Sequence, residues 1–493
     1  MDSVPAQLDA QVCNRARLAR DPRFDGRFFI GVTSTGIYCR PICPSPTAKR
    51  ANVRYFPSAA AAAAAGFRPC LRCRPEVAPG TPAWSGTSAT VSRGLKLIAQ
   101  GALDEGSVDG LAARLGVSAR HLHRLFLQHL GAPPIAVGQT RRLHFAKQLI
   151  DGTRLPMSQV ALASGFQSIR RFNDVLHKLY GRTPSELRRL REAEAPRTDI
   201  GEYVFRLAYR PPYAWDALLA FLALRATPGV EEVSDGAYRR SLVFDNRHGV
   251  LEVRALKREH ALEARIRFPE SAGLLRIVAR VRAMFDLAAD PAVIAKHLRS
   301  DPLLKPSIRR FPGLRVPGAW DGFELAVRAV LGQQITVRAA TTLAGRLVRE
   351  HGEPLQFADR GGLTHVFPCA EVLAAAEIAG LPGARARTLR LLAQAVARGE
   401  MQFAGGLPDQ EFFARFQGVA GIGNWTAQYV AMRAFNEPDA FPASDLVLLR
   451  AAADGKPLTP AALLKRAENW RPWRAYAAMY LWRAAAHAAG PNH

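Results

Sequence analysis

The chain has 493 residues, of which 48% are hydrophobic and 22% are charged. This balance is typical of folded soluble proteins and disfavours both a disordered chain and a membrane-spanning one. The length is too great for one hydrophobic core, and the net charge of +25 indicates a polyanionic partner, with nucleic acid as the first candidate. An arginine-rich composition inherited from a GC-rich genome is the alternative explanation of the charge.

The cysteine content and the apolar runs predict where the protein is found. The longest apolar run, residues 58–66, is too short to cross a bilayer, and no N-terminal stretch has the order of a signal peptide. Only Cys13 and Cys369 lie outside a metal-like cysteine cluster, which fits a reducing compartment better than a disulfide framework does. We therefore expect a cytoplasmic protein without a membrane partner.

The first segment contains four cysteines at a spacing typical of metal ligands. A Cys-x3-Cys pair and a Cys-x2-Cys pair together comprise Cys39, Cys43, Cys70 and Cys73. This spacing is typical of a zinc-thiolate site, and prolines beside the first pair predict a turn there. Because four thiolates outweigh the charge of Zn²⁺, at least one sulfur stays electron-rich and could act as a nucleophile. The alternative is a zinc ion that only holds the segment together.

The stretches DGRFFIGVTSTGIYCRPICPSPTAKRANVRYF and AAGFRPCLRCRP resemble the N-terminal domain of the adaptive-response (Ada) family. That domain repairs methylphosphotriesters in DNA by irreversible self-methylation. The resemblance implies a small α/β domain over residues 1–78 that binds one zinc ion through all four cysteines. It also implies that Cys39 accepts the methyl group.

The next segment contains two helix-turn-helix patterns. Residues 77–90 are rich in Pro, Gly, Ser and Thr and predict a linker, after which helical periodicity continues to about residue 190. In each pattern a glycine, Gly116 or Gly165, marks the turn, and a serine, Ser118 or Ser168, begins the second helix as its N-cap. These second helices carry basic residues suited to the major groove, namely Arg120, Arg124, Arg170 and Arg171.

Two such patterns in tandem, the second ending in GRTPSELRR, resemble the AraC-type DNA-binding domain. The resemblance implies an all-α domain over residues 90–190 that binds promoter DNA. RNA polymerase is then a further candidate partner.

Residues 191–199 predict a second linker, and the chain changes character after it. Residues 200–285 alternate apolar and polar side chains as in an antiparallel sheet, whereas residues 286–493 show helical periodicity broken by Gly and Pro. We therefore predict an antiparallel α+β domain followed by a helical region.

The helical region contains a Gly-Ile-Gly hairpin with an acidic residue after it. Gly421 and Gly423 form a tight turn before a helix, whose N–H groups suit a DNA phosphate. Asp445 follows after a Phe-Pro break that places it at the start of the next helix. This combination resembles the helix-hairpin-helix DNA glycosylase superfamily. Trp425 stands where lyase-type members place a lysine, and no cysteine follows Cys369, so we expect a monofunctional glycosylase without an iron–sulfur cluster.

Residues 200–493 as a whole resemble the 3-methyladenine DNA glycosylase II family, in YRPPYAWDALLAFLALRA, GFELAVRAVLGQQIT and WRPWRAYAAMYLWR. The resemblance implies a TATA-binding-protein-like antiparallel subdomain and all-α helix-hairpin-helix domains. It also implies base flipping, with Asp445 stabilising the cationic sugar that forms as an alkylated base departs. The implied base pocket consists of Trp425, Tyr429, Trp482 and Phe221, although ordinary core packing explains Phe221 equally well.

The same family inserts a wedge residue into the gap left by the flipped base. The corresponding position is Gln334, and Gln333 and Ile335 remain alternatives. Gln333 and Gln334 are therefore expected to contact DNA.

The sequence thus predicts a fusion of a methyl-sensing regulator with an alkylbase glycosylase acting on double-stranded DNA. One alternative is a transcription regulator whose C-terminal region only binds DNA. Another is a glycosylase whose front half only targets it to DNA. The chain has no Pro-Cys-His-Arg motif, so an O6-methylguanine transfer domain is not expected, and Cys369 is predicted to be a buried structural thiol.

Overall fold

The computed structural model describes residues 9–79, 89–104, 106–190, 201–256, 259–357, 359, 361–378, 380–403, 410–453 and 457–488. Most of the predicted linker 77–90, and all of the predicted linker 191–199, lie outside these residues. The chain divides into two compact units, the first comprising Met1–Pro211, Leu256–Arg282 and Leu287–Asp290, the second Pro212–Ala255, Ala283–Asp286 and Pro291–His493.

The described helices and strands follow the predicted change from a mixed front part to a helical rear part. The strands are β1 (Phe29–Val32), β2 (Ile37–Cys39), β3 (Val53–Phe56), β4 (Arg68–Pro69), β5 (Glu202–Ala208), β6 (Glu231–Ser234), β7 (Ala237–Phe244), β8 (Arg247–Leu256) and β9 (Ala261–Arg267). The helices are α1 (Ala10–Leu18), α2 (Ala59–Ala64), α3 (Ala89–Ala99), α4 (Val108–Arg114), α5 (Ala119–Leu130), α6 (Pro134–Gly152), α7 (Met157–Ala163), α8 (Ile169–Tyr180), α9 (Pro184–Arg189), α10 (Trp215–Ala223), α11 (Leu274–Met284), α12 (Pro291–Leu298), α13 (Lys305–Arg310), α14 (Gly322–Leu331), α15 (Val337–His351), α16 (Ala370–Ala375), α17 (Gly383–Ala397), α18 (Gln410–Gly418), α19 (Asn424–Arg433), α20 (Leu446–Ala452), α21 (Pro460–Ala467) and α22 (Arg474–Ala488). Within the described residues, no helix has the length and apolar character needed to cross a membrane.

The first unit begins with a small sheet in the order β3-β1-β2-β4. β1 pairs antiparallel with β2 and β3, whereas β2 and β4 run parallel. The alanine-rich helix α2 lies against the sheet, because its small side chains admit the buried rings of Phe29, Tyr38, Phe56 and Phe67. This packing fixes the ends of β2 and β4, from which two of the cysteines project.

The two helix-turn-helix pairs form as the sequence predicts. Gly116 and Gly165 adopt the left-handed backbone that ends α4 and α7, with φ of +68° and +77°. Ser118 and Ser168 cap α5 and α8 by accepting the third backbone N–H of each helix, at 3.2 and 3.3 Å. One side of each helix is buried. The buried residues are Leu122, Phe126 and Leu130 in α5 and Phe172, Leu176 and Tyr180 in α8.

Helix α6 joins the two helix-turn-helix pairs. It also contacts the cysteine-bearing segment, including the β1–β4 sheet, within the same unit. The hydroxyl of Tyr38 lies 3.1 Å from Nε2 of His144. Lys147 Nζ lies 2.6 Å from Asp151, which also contacts Arg74 at 3.1 Å. These buried charges are paired, as charges inside proteins must be, so they fix α6 against the cysteine-bearing segment.

Antiparallel strands occupy the region in which alternation predicts them. In the first unit, β5 pairs with β9 from Glu202↔Arg267 to Ala208↔Ala261. In the second unit, β6, β7 and β8 form an antiparallel meander. The helical core of the second unit is built largely from α14, α17, α18 and α19, and its buried members include Val327, Val330, Leu389, Leu392, Phe416 and Val430.

Candidate functional site

The four cysteines of the first unit converge on one point. Cys39 ends β2 and Cys70 follows β4, and because these strands are parallel their carboxyl ends lie at the same edge of the sheet. Cys43 follows on a turn closed by its own N–H to the Arg40 carbonyl at 3.1 Å, and Cys73 completes the set. The expected turn therefore begins after Cys39, which itself lies on a strand.

The spacing of the sulfurs fits a tetrahedral metal site. All four Sγ atoms lie within 4.8 Å of one another. Tetrahedral Zn²⁺ with bonds of about 2.3 Å needs sulfur–sulfur distances of about 3.8 Å, so small side-chain adjustments close the site. Within the described residues, this group of possible metal ligands consists of four thiols and contains no carboxylate or imidazole, and four thiols are a donor set that zinc favours. The donor chemistry and the geometry both fit the predicted zinc ion.

The sulfurs differ in their hydrogen bonds. Cys73 Sγ accepts the backbone N–H of Arg40 at 3.3 Å, and the Cys73 backbone in turn donates to Cys70. Cys43 interacts with the side chain of Ser45. The Cys39 sulfur interacts with the other three cysteines. N–H donors withdraw electron density from a thiolate, so the four ligands are electronically unequal.

The predicted DNA-reading arginines of the first unit are exposed. Arg120 and Arg124 lie on the outer face of α5, and Arg170 and Arg171 lie at the start of α8. Arg124 Nη2 lies 2.9 Å from Nδ1 of His121. Each second helix therefore presents basic side chains near its N-terminus.

The Gly-Ile-Gly hairpin of the second unit connects α18 to α19. Gly421 has φ of +92°, and an added Cβ would lie 2.1 Å from Oγ1 of Thr388. Thr388 donates to the Ala420 carbonyl at 2.7 Å, so α17 supports the turn from beneath. Gly423 is exposed and begins α19 without a side-chain cap, so nothing from a cap residue covers the first N–H groups of that helix.

Asp445 is held by four N–H donors. As the N-cap of α20, it accepts the backbone N–H groups of Val447 and Leu448 on Oδ1, both at 3.0 Å. Oδ1 also accepts Nε1–H of Trp482 at 3.1 Å, and Oδ2 accepts Nε1–H of Trp425 at 2.9 Å. N-capping explains the backbone bonds but not the two indoles, which orient the carboxylate between two aromatic rings. Three of these four donors approach Oδ1 and one approaches Oδ2, so Oδ2 retains room to accept another partner.

The structure brings the predicted pocket residues together. Trp425 and Tyr429, four residues apart on α19, stack with ring centroids 5.2 Å apart and planes 7° apart. The rings of Trp482 and Tyr429 pack edge to face, with their centroids 6.3 Å apart. Phe221 joins them through Arg433, whose guanidinium carbon lies 5.1 Å from the Phe221 ring and 5.5 Å from the Tyr429 ring.

The two glutamines expected to contact DNA have different surroundings. Gln333 Nε2 donates to the Gly421 carbonyl at 2.9 Å and to Thr426 Oγ1 at 3.2 Å, so it ties its loop to the hairpin. Gln334 is exposed, and its left-handed backbone, with φ of +58°, interrupts the chain between α14 and α15. These bonds occupy the side chain of Gln333, whereas Gln334 and its neighbour Ile335, 36% exposed, project from the loop.

The sequence did not point to two arginines of the site, and it misplaced one cysteine. Arg433 donates to the Tyr429 hydroxyl at 2.7 Å, and the guanidinium carbon of Arg225 lies 3.8 Å from the centre of the Phe221 ring. Helical spacing could have found Arg433, which follows Tyr429 by four residues on α19, whereas Arg225 lies beyond the end of α10. Cys369 is exposed, so its prediction as a buried thiol was wrong. It is the N-cap of α16 and lies at the exposed start of that helix.

Three family profiles match the chain. The metal binding domain of Ada matches residues 12–76, a helix-turn-helix domain matches residues 111–190, and the AlkA N-terminal domain matches residues 204–321. Together with the thiolate cluster and the aromatic-held carboxylate, they define a multidomain protein with a metal-binding front, a helix-turn-helix middle and an AlkA-type rear.

One relative matches this chain over nearly its whole length, and two others match its rear and front parts. The probable bifunctional transcriptional activator/DNA repair enzyme AlkA of Mycobacterium tuberculosis is 42% identical over 485 residues, which cover 97% of this chain and 97% of that protein. The chain belongs to this family. DNA-3-methyladenine glycosylase 2 of Escherichia coli is 34% identical over 57% of this chain and 96% of its own length. The Escherichia coli bifunctional transcriptional activator/DNA repair enzyme Ada is 41% identical over 25% of this chain and 34% of its own.

Proposed function

We propose that the protein repairs alkylated DNA in two ways and regulates transcription through its helix-turn-helix domain. Its rear part hydrolyses the glycosidic bond of alkylated bases of the 3-methyladenine and 7-methylguanine class. Its front part accepts a methyl group from methylphosphotriesters at a zinc-thiolate site. The observation that carries the glycosylase assignment is the Asp445 carboxylate, which two indole N–H groups orient from opposite oxygens.

In the glycosylase reaction, Asp445 provides a fixed negative charge where positive charge develops. As the bond between C1′ and the base nitrogen breaks, its electron pair stays with the base and the sugar becomes cationic. Asp445 stabilises this cation. The oxygen of a water molecule then bonds to C1′, and a proton of that water passes to Asp445 and on to solvent. Trp425, Tyr429, Trp482 and Phe221 form the walls of the base pocket.

Asp445→Asn tests this assignment. Asparagine is also a good N-cap, so α20 keeps its backbone bonds while the site loses its charge. We expect the rate of 3-methyladenine release from alkylated duplex DNA to fall by roughly 100-fold or more, with little change in thermal stability. Asp321→Asn is the matched control, because Asp321 caps α14 through Glu324 N at 2.8 Å and is not part of the pocket. Wild-type release by the Asp445 variant would refute the assignment.

In the methyl transfer, Cys39 is the proposed nucleophile and all four cysteines are the proposed zinc ligands. The methyl carbon passes from a phosphotriester oxygen to Sγ, and the electron pair of the broken O–C bond restores the phosphodiester. The match of residues 12–76 to the metal binding domain of Ada supports this assignment, and the backbone N–H that Cys73 Sγ accepts makes Cys73 a weaker nucleophile. Methylation removes one negative charge from the zinc site and so reduces its repulsion toward DNA phosphates.

Cys39→Ser tests the acceptor. With a methylphosphotriester oligonucleotide, we expect the wild-type protein to gain one methyl group at Cys39, located by fragment-ion mass spectrometry. The serine variant should gain none, because serine at neutral pH is a far weaker nucleophile than a zinc-bound thiolate. Cys369→Ser, which removes an exposed thiol outside the cluster, should behave as wild type. Unchanged transfer in the Cys39 variant, or a methyl group located on Cys43, contradicts the assignment.

The DNA-contacting surface is also proposed. The exposed N-terminus of α19 at Gly423 can bind a backbone phosphate beside the Gly421 turn. Gln334 is the proposed wedge, and Gln333 supports the hairpin. The basic residues of α5 and α8, Arg120, Arg124, Arg170 and Arg171, are proposed to contact promoter DNA.

A regulator whose rear part only grips DNA does not account for the second unit. DNA binding alone requires the hairpin, but it does not require a half-buried carboxylate that accepts hydrogen bonds from two tryptophans. The four-domain division at 1–78, 90–190, 200–285 and 286–493, the TATA-binding-protein-like subdomain and the lack of an iron–sulfur cluster are part of the same proposal.

A further inference from the structure

The loop between α14 and α15, residues 332–336, is held from outside by α17. Arg385 of α17 donates from Nη2 to the carbonyl of Gln333 at 2.6 Å, and Arg385 itself is only partly exposed. The donor is ionised, which makes this bond stronger than one between two neutral groups. The Gln333 carbonyl belongs to the peptide bond that joins Gln333 to Gln334. Arg385 therefore fixes the backbone directly beside Gln334.

The same side of α17 also supports the Gly-Ile-Gly hairpin. Thr388 follows Arg385 by three residues, which places both side chains on one side of the helix. Thr388 donates to the Ala420 carbonyl at 2.7 Å. The side chain of Gln333 completes the arrangement by donating to the Gly421 carbonyl at 2.9 Å. The loop and the hairpin are thus bonded both to α17 and to each other.

Gln334 needs this support because of its backbone conformation. Its φ of +58° lies in the left-handed region, which is strained for a residue with a Cβ. Such a conformation persists only where the surrounding structure holds it. On the far side of the loop, Thr336 caps α15 by accepting the Ala339 N–H at 3.2 Å. The loop is therefore held at its end by Thr336 and beside Gln334 by Arg385.

We propose that Arg385 is a positioning residue for base flipping, because it holds the loop in the conformation from which Gln334 enters the gap in the DNA. The inference rests on the proposed glycosylase function. A flipped base leaves a gap in the stack, and a wedge that fills this gap keeps the base in the pocket. Displacement of the wedge by about 1 Å is enough to lower the rate of base release strongly. Arg385 thus acts on the reaction through Gln334.

The alternative role for an arginine beside a DNA-contacting hairpin is a direct bond to a phosphate. The two roles differ in their dependence on salt. Loss of one phosphate contact reduces the slope of log K against log salt concentration by about one. Loss of a residue that only positions Gln334 leaves this slope unchanged. Measuring the slope for wild type and Arg385→Met therefore separates the two roles.

A double-mutant cycle tests whether Arg385 acts through Gln334. We would measure single-turnover release of 7-methylguanine opposite cytosine in duplex DNA by the full-length protein, by Gln334→Gly, by Arg385→Met and by the double variant. Glycine adopts a positive φ without strain, so Gln334→Gly removes both the wedge and the need to hold its backbone. Arg387→Met is the control, because it removes the same charge from an exposed position on α17.

We expect Gln334→Gly and Arg385→Met each to slow release by roughly 10-fold. The double variant should be slower than the slower single variant by less than about 3-fold, because the two residues act as one unit. Arg387→Met should release the base at the wild-type rate. The salt slope for binding to a duplex with an abasic-site analogue should be the same in Arg385→Met and the wild type.

Fluorescence reports on the wedge without requiring base release. A 2-aminopurine placed beside the abasic-site analogue changes its emission when a side chain enters the stack next to it. At saturating protein, Arg387→Met should give the wild-type change, whereas Gln334→Gly and Arg385→Met should both give a smaller one. If thermal denaturation shows that Arg385→Met does not fold, Arg385→Gln replaces it, because a polar side chain suits the partly exposed position.

Four results would overturn the inference. They are a double variant that shows the product of the two single effects, roughly 100-fold if the residues act independently, a salt slope reduced by about one in Arg385→Met, wild-type behaviour of Arg385→Met, and wild-type behaviour of Gln334→Gly. A wild-type protein that released no alkylated base would instead contradict the proposed glycosylase function. The fluorescence and salt measurements would still test Arg385 in that case, so the two failures are distinguishable.

Discussion

The indole groups beside Asp445 set the orientation of its carboxylate. Trp482 donates to Oδ1 and Trp425 donates to Oδ2, while the backbone of α20 also donates to Oδ1. Because donors approach both oxygens, rotation of the carboxylate would break at least one bond. The same residue therefore begins a helix and holds a charge in a defined direction, as a site that stabilises a developing cation requires.

Trp482→Phe tests this orientation. Phenylalanine keeps an aromatic ring in the pocket but lacks the N–H that Oδ1 accepts at 3.1 Å. We expect the rate of 3-methyladenine release to fall about 10-fold, the effect of one lost hydrogen bond in the transition state. The control is Trp215→Phe, which removes an indole bond to the Gly236 carbonyl at 3.1 Å in the same unit. Equal losses in the two variants would show that the effect is not specific to Asp445.

At this scale the sequence predicts which residues meet, but not how they meet. The spacing of Trp425 and Tyr429 places them on one face of α19, and their stacking agrees with that prediction. The indole bonds to Asp445 join residues far apart in the chain, so no local pattern contains them. The same is true of Arg225, which follows α10, and Tyr429 of α19, because only the tertiary fold brings them together.

The hairpin between α18 and α19 depends on its first glycine. Gly421 combines a left-handed backbone with close contact to Thr388 of α17, and Gln333 donates to its carbonyl from the other side. The turn is therefore held by two other segments rather than by its own residues alone. The motif predicts the turn, whereas its supports from Thr388 and Gln333 depend on tertiary packing.

Substitution of the two glycines tests the element. Gly421→Ala must place a Cβ 2.1 Å from Thr388 Oγ1 at φ of +92°, so we expect a loss of about 1–3 kcal/mol in the free energy of unfolding. Weaker binding to abasic-site duplex DNA should accompany this loss. Gly423→Ala is the control, since a Cβ added at Gly423 would have no neighbouring atom within 4 Å. Its cost should stay below about 1 kcal/mol. If both variants have the same stability in thermal denaturation, Gly421 does not have the proposed role.

The cysteine cluster shows a similar limit of prediction. The spacing alone indicates a four-thiol site, and the four sulfurs do converge. The parallel pairing that brings Cys39 beside Cys70 is not predictable, because β4 has only two residues and one is proline. Strands this short have no alternation from which a register could be read.

For the whole molecule, each compact unit contains segments of more than one predicted domain. The cysteine segment and the helix-turn-helix pairs, predicted as separate domains, belong to one unit in which Tyr38 contacts His144 and Arg74 contacts Asp151. Segments of the predicted 200–285 domain occur in both units. Ion pairs and hydrogen bonds between distant segments leave no periodic signal in a sequence, which is why composition and periodicity could not predict this division.

The thiolate cluster belongs to the first unit and Asp445 belongs to the second. Substitutions at sites that share no partners act independently. We therefore expect two activities that single substitutions can separate within one chain.

The most direct test measures both activities in the same reaction. Wild-type protein, Cys39→Ser and Asp445→Asn would each be incubated with methylated duplex DNA, and released bases and protein-bound methyl groups would be quantified together. We predict both activities in the wild type, base release without protein methylation in Cys39→Ser, and protein methylation without base release in Asp445→Asn. Loss of both activities through either substitution, or their retention in both variants, would contradict the proposed pair of independent repair sites.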